Sequence, residues 1–358
     1  MVSGLAPAAS QAEPTAVPNT VDVASLPRPA LDWADPVTLD AGAPYVGEHP
    51  VQAISCPWVT FCVAITQDRT LLTSTDPTAG ASAWEAQGRL PLGSGDSGTF
   101  VGSLSCPTEA LCVATQEVGT TALYTITFAE EEAPRVRREA IGSLGTFSSP
   151  QCPSASRCFA LDADRRILTS AYPKGGRTTW TAVAVSAQFV SLSCPSADLC
   201  VASTSSGQIY ASPTPATAES WSPVDAPGWE NPTVSCVSVS LCVAMGTSPT
   251  GLTDSLAVAT TTQPLAQEEA GAWTTVDLPW APAAQVPQGL SCFRSGVCVI
   301  TLFDTLLVSS DPTGGASTWV PGPVDIPGAV TPHGDCPSAA LCMSPLVTGG
   351  LLDATAPT

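Results

Sequence analysis

Cysteine is the residue type in this chain with the most regular spacing, and it bears on chemistry first. Fourteen cysteines fall into seven pairs with five residues inside each: Cys56/Cys62, Cys106/Cys112, Cys152/Cys158, Cys194/Cys200, Cys236/Cys242, Cys292/Cys298 and Cys336/Cys342. No cysteine is left over. Paired thiolates can hold a metal, usually at C-x2-C or C-x4-C spacing with histidine partners. The two histidines, His49 and His333, do not recur with the pairs. The other reading is seven local disulfides, which an oxidising compartment permits and the cytosol does not. The spacing favours disulfides. A ring this small contributes about 2 kcal/mol in the chain-entropy picture, and it staples a hairpin rather than tying distant segments together.

Other chemistry-bearing groups are sparse. Gly95-Asp96-Ser97-Gly98 copies the segment around a trypsin-like nucleophile, and His49 lies upstream of it. No Ala-Ala-His-Cys context surrounds His49, so the segment reads as a loop. No D-x-D-x-D-G cation loop is present. No cofactor motif appears, and no cofactor is expected. Arg135, Arg137 and Arg138 form a basic cluster after the acidic run at 130–132, and they are the candidate binding residues.

The elements that must position these groups come from a repeat. Around the cysteines the chain reads SCPWVTFCVA, SCPTEALCVA, QCPSASRCFA, SCPSADLCVA, SCVSVSLCVA, SCFRSGVCVI and DCPSAALCMS. A second element follows most pairs: STDPTAGASAW at 74–84, SAYPKGGRTTW at 170–180, SPTPATAESW at 212–221 and SSDPTGGASTW at 309–319. β-rich residues precede the first Cys of a unit, turn formers fill the Cys loop, and a short apolar run follows the second Cys. A third strand then leads through the Asp-Pro-Gly turn to a fourth strand at Trp. Four short antiparallel strands per ~40–50 residues are the signature of a propeller blade.

Strand counting predicts how the ring closes. The seventh unit lacks a Trp strand, while an orphan strand around Trp33, residues 31–39, precedes the first unit. The expected fold is all-β: a single seven-bladed β-propeller of four-stranded antiparallel blades, each stapled by a C-x5-C disulfide and closed by the N-terminal strand. It spans residues 31–358, after an Ala/Pro-rich flexible linker over 1–30. Closure removes exposed sheet edges.

Charge bounds the partners. Twelve Lys and Arg against 31 Asp and Glu give a net charge of −19, which argues against nucleic acid or an anionic membrane as partner. No apolar run approaches the ~18–20 residues of a membrane span, so no membrane insertion is expected.

The Ser-x-Asp-Pro-x-x-Gly-x-Ser-x-Trp turn, with Asp76 and Asp311 in the Asp position, resembles the Asp-box of sialidase-type repeats. The whole unit is similar to blades of the photosystem II assembly-factor propellers, and the SCPSxxLCVA form resembles secreted bacterial repeat proteins. In those families Asp-box turns are structural. The resemblance therefore implies that Trp84, Trp180, Trp221, Trp273 and Trp319 are blade-packing residues.

The expected function is a non-catalytic, exported module, monomeric, that binds an extracellular protein or glycan at the cell envelope. The alternative is a sialidase-like glycoside hydrolase with carboxylates in an axial site. Departures from the repeat, in the second unit around the three arginines and in the fifth unit ending at Gln267-Glu268-Glu269, are where a site is expected. Peptide mapping without reductant should recover all fourteen cysteines in the seven sequential pairs. A long-range pair, or free thiols in most pairs, would refute the disulfide reading.

Overall fold

The computed structural model describes residues 32–355 except 35–36, 40–49, 95–97, 99, 101, 117–120, 130–131, 142–147, 163, 165, 249–254, 267–272, 279–287, 303–305, 323–333, 339–340 and 346–349. The linker at 1–30, His49, His333, Gly95 to Ser97 and Gln267 to Glu269 lie outside the described residues.

Each repeat folds as one antiparallel sheet, and seven sheets follow one another along the chain. Blade 1 consists of Val51–Trp58, Phe61–Thr66, Thr70–Ser74 and Trp84–Arg89. Its register places Ser55 opposite Val63 and Trp58 opposite Phe61, which sets Cys56 beside Cys62. In blades 5 and 6 the cysteines are direct cross-strand partners, Cys236 with Cys242 and Cys292 with Cys298.

The expected disulfides are all formed. Cys56–Cys62, Cys106–Cys112, Cys152–Cys158 and Cys194–Cys200 staple blades 1 to 4, each with a Cα separation of 4.1 Å. Cys236–Cys242, Cys292–Cys298 and Cys336–Cys342 staple blades 5 to 7, at 3.9, 4.0 and 4.0 Å. Each bond joins the first strand of a blade to the second.

The hydrophobic core is divided among the seams between blades. Each cluster of buried side chains draws on two neighbouring blades. Alternation along a strand produces this arrangement, because successive side chains point to opposite faces of the sheet. In blade 1, Cys62 and Ala64 join the seam with blade 7, whereas Val63 and Ile65 join the seam with blade 2. Cys112 and Ala114 of blade 2 meet Val63 and Ile65 in that same seam. Cys158 with Ala160 of blade 3, and Cys200 with Ala202 of blade 4, repeat the pattern one seam further on each time. The repeated Cys-Val-Ala thus presents small side chains to the preceding blade and a large one to the following blade. Trp84, Trp180, Trp221 and Trp319 extend the small face outward and are buried in the seam with the preceding blade.

The ring closes through the N-terminal segment. Asp32–Trp33 pairs with Gly350–Thr355, Trp33 opposite Ala354, and Val37–Thr38 continues along the same strand opposite Leu351 and Gly350. The expected single strand at 31–39 is therefore two short pieces. Pro36, which has no N–H for a ladder, lies between them in sequence.

Antiparallel order also fixes two faces. The Cys loops and the turns between third and outer strands share one face, here the Cys-loop face. The turns between second and third strands and the links to the next blade share the other. Removing residues up to Thr38 strips the outer edge from blade 7. Chemical denaturation of that truncated chain should show a loss on the order of several kcal/mol, or failure to fold. An unchanged midpoint would refute closure by this strand.

Candidate functional site

Two places bring chemistry-bearing side chains together. The first is the axis. The first strands of all seven blades line a cavity of about 520 Å³. The first cysteine of each pair contributes to this lining, while the second lies one strand further out. Cys158 and Cys200, for example, are fully buried in their seams and lie outside the cavity wall. The cysteines therefore serve the fold, and their sulfurs are tied up in disulfides.

In blades 1, 2, 4 and 5 the serine preceding the first Cys accepts a hydrogen bond from the next blade. Cys106 N–H donates to Ser55 Oγ at 3.1 Å, Cys152 N–H to Ser105 at 3.1 Å, Cys236 N–H to Ser193 at 2.9 Å and Cys292 N–H to Ser235 at 2.8 Å. At the closing seam an aspartate takes the serine's place. Asp335 Oδ2 accepts from Cys56 N–H at 2.7 Å and from Ser55 Oγ–H at 3.3 Å.

Asp335 and Arg294 are the charged residues among the described lining of this cavity. Desolvation raises the Asp335 carboxyl to about 6, against the opposing hydrogen bonds from Cys56, Ser55 and Cys336 and the charge of Arg294. Arg294 belongs to the blade 6 Cys loop, yet its Nη2 donates to the carbonyl of Pro153 in the blade 3 Cys loop at 2.9 Å.

The second place is the outer edge of blades 2 and 3. Blade 2 replaces the Asp-Pro-Gly turn with a long hairpin, Ala122–Ala129 against Glu132–Ala140. Alternation splits the three candidate arginines. Arg135 and Arg137 share one side of the outer strand, and Arg138 lies on the other. Arg137 Nη2 donates to the carbonyl of Lys174 at 2.8 Å, and its Nε lies 3.4 Å from Glu139. Glu139 also accepts the Arg177 backbone N–H at 2.8 Å, and Arg177 Nε donates to the Ile141 carbonyl at 2.8 Å. Arg135 is 82% exposed and pairs with Glu132 at 3.1 Å. Exposed Lys174 and Tyr172, the latter 61% exposed, complete this strip from the turn of blade 3. Arg138 instead lies over Gly93 on the blade 1 side, where an added side chain would collide with its guanidinium.

The Asp-Pro-Gly turns are occupied with their own geometry. The serine that starts the turn is buried and accepts the N–H two residues on, as Ser74 does from Asp76 and Ser309 from Asp311, at 3.1 and 3.2 Å. Asp76 and Asp311 accept from nearby threonine hydroxyls at 3.2 and 2.7 Å. These aspartates shape turns.

Sequence reasoning passed over Tyr172, Lys174, Trp58 and Arg294 as site residues. Trp58, in the blade 1 Cys loop, is 59% exposed, unlike the buried Trp84, Trp180, Trp221 and Trp319. The available signal was substitution within the Cys loop: Pro-Trp-Val-Thr-Phe and Phe-Arg-Ser-Gly-Val depart from Pro-Ser-Ala-x-Leu.

No protein-family model and no curated protein matches this chain. Solved structures do share its fold. The structure of YCF48 bound to D1 peptide is 16% identical with a TM-score of 0.64, covering 91% of this chain and 97% of that one. YCF48 from Cyanidioschyzon merolae is 12% identical with a TM-score of 0.62, covering 90% and 98%. The WD40 domain of Neurospora crassa Pan2 is 11% identical with a TM-score of 0.57, covering 93% and 98%. The likeness establishes a seven-bladed propeller similar to YCF48 and WD40 propellers.

Asp335 carries a pH signature. Its raised value means that the native state holds more protons than the unfolded chain between about pH 4 and 6. The associated stability is present below pH 4 and is lost as pH rises through 6. The cavity touches Asp335 on one side, so about 3 kcal/mol is a ceiling. Asp335→Ser should flatten the fall in melting temperature across this window relative to wild type. Parallel curves would refute the assignment. Asp353, whose carboxyl burial also raises, is common to both proteins and cancels.

Proposed function

We propose that this chain is an exported, non-catalytic propeller that binds a protein partner at the cell envelope through the basic strip on blades 2 and 3. The observation that carries this reading is the clustering of cations on an acidic molecule. Arg135, Arg137, Arg138, Lys174 and Arg177 are five of the chain's 12 basic residues. Arg135 and Arg137 share one side of the outer strand, and Arg137 reaches the blade 3 turn that carries exposed Lys174 and the exposed ring of Tyr172. Exposed arginine beside tyrosine is a composition favoured at protein interfaces. The partner segment that fits is acidic, with an apolar group to cover Tyr172.

Further support comes from two observations. Seven disulfides suit an oxidising, extracytoplasmic environment. YCF48, a propeller of the same fold, has been solved with a D1 peptide bound.

The test compares the oxidised protein on acidic-peptide and glycan arrays. Binding to Asp/Glu-containing peptides should weaken by about tenfold or more in the Arg135→Ala, Arg137→Ala, Lys174→Ala triple variant, with unchanged melting temperature. It should also fall with added salt. Arg138→Ala, on the opposite side of the strand, should bind as wild type. Wild-type binding by the triple variant, recognition of glycans in place of peptides, or turnover of fluorogenic glycosides would each refute the reading.

A further inference from the structure

The strip on blades 2 and 3 leaves the axial cavity unused. At the Cys-loop mouth, proline follows the first Cys in five of the seven blades. Blade 6 departs most, with Phe293-Arg294-Ser295-Gly296. Phe293 packs into the seam between blades 6 and 7 and fixes the root of the loop, while Arg294 stays exposed. Blades 3 and 6 lie on opposite sides of a seven-membered ring. The bond from Arg294 to the Pro153 carbonyl therefore carries the guanidinium across the axis.

That carbonyl is a neutral partner and occupies one of the five N–H donors of the guanidinium. A carboxylate could take two parallel N–H···O bonds, and charge-assisted bonds of this kind are about twice as strong as neutral ones. The wall behind Arg294 offers further donors. Ser105, Ser193 and Ser235 each accept an N–H from the next blade, so each hydroxyl keeps its own proton to give. The one carboxylate of the described wall, Asp335, already takes hydrogen bonds from Cys56, Ser55 and Cys336 and feels the charge of Arg294. The cavity thus combines serine hydroxyl donors in its wall with a bidentate cation at its mouth. Its volume of about 520 Å³ falls within the ~300–1,000 Å³ of small-ligand sites.

We propose that the axial cavity is a carboxylate-binding site entered from the Cys-loop face, in which Arg294 leaves the Pro153 carbonyl to grip both carboxylate oxygens. The carboxylate can belong to the end of a polypeptide or to a small organic acid. The site stands apart from the strip on blades 2 and 3, so either can fail without the other.

The full oxidised chain, labelled at arginine Nε, tests this by titration with three probes: citrate, an N-acetyl tetrapeptide with a free C-terminus, and the C-terminal amide of that peptide. Arg294→Lys identifies the Arg294 resonance by its disappearance. The expected result is a shift of that resonance with citrate, the peptide acid or both, and none with the amide. Response to the peptide acid alone assigns a chain terminus, and response to citrate alone assigns a small acid. In Arg294→Gln, calorimetric affinity for the responding acid should drop about tenfold or more. Its melting temperature should hold, because an exposed contact to a carbonyl is all that is lost. The proposal is overturned if acid and amide shift the resonance equally, if no probe moves it, or if Arg294→Gln binds like wild type.

Discussion

Every other feature of this molecule depends on how one blade meets the next. A strand has two faces, and a blade in a ring has two neighbours, so each strand must satisfy two different seams at once. The Cys-Val-Ala run does this with side-chain size. Cys and Ala give the preceding blade a shallow face, and Val or Ile fills it from the other side. The first Cys of each pair must lie across from the second, which puts the disulfide on the shallow face. The residue before it must then face forward. Serine there meets an edge N–H of the next blade, a donor with no strand to pair it, and satisfies it. The Ser-Cys-Pro motif joins two adjacent seams.

The closing seam faces the same demand with different residues. Leu341 and Met343 of blade 7 pack against Cys62 and Ala64 of blade 1, preserving the large-on-small match. Asp335 replaces serine as the acceptor. A carboxylate accepts more strongly than a hydroxyl and here takes the N–H groups of Cys56 and Cys336 and the Ser55 hydroxyl, but its burial in the channel wall works against ionisation. The seam most remote in sequence is thus the one whose strength varies with pH.

Strand content, blade number, disulfide pairing and the closing role of the segment around Trp33 were all legible, because each is a repeated or countable property of the chain. The buried tryptophans were legible for the same reason. Function was less so. Arg135, Arg137 and Arg138 are adjacent in sequence, but strand alternation sends Arg138 to blade 1 and the other two to blade 3. Lys174 and Tyr172 join them only through the packing of one blade's edge on the next blade's turn. Arg294 meets Pro153 across the ring, 141 residues away. Periodicity reports what the units share, and these contacts arise where units differ and where the ring folds back on itself.

Charge raises a sharper question: how an anionic ligand could approach a chain of net charge −19. Screening answers part of it. At physiological ionic strength charges separated by more than ~8 Å hardly act on one another through solvent. What a ligand senses is then the local set of groups, and on blades 2 and 3 that set is net basic even after Glu132 and Glu139 are counted. The acidic remainder still suppresses indiscriminate binding of polyanions, which need a long basic track to displace counterions. Glu139 has a second effect. By holding Arg137 and the Arg177 backbone together, it fixes the strip before any partner arrives, so less side-chain entropy remains to be lost on binding. A few cations, held in place on a rigid blade edge and surrounded by acidic surface, favour a short acidic segment over an extended polyanion.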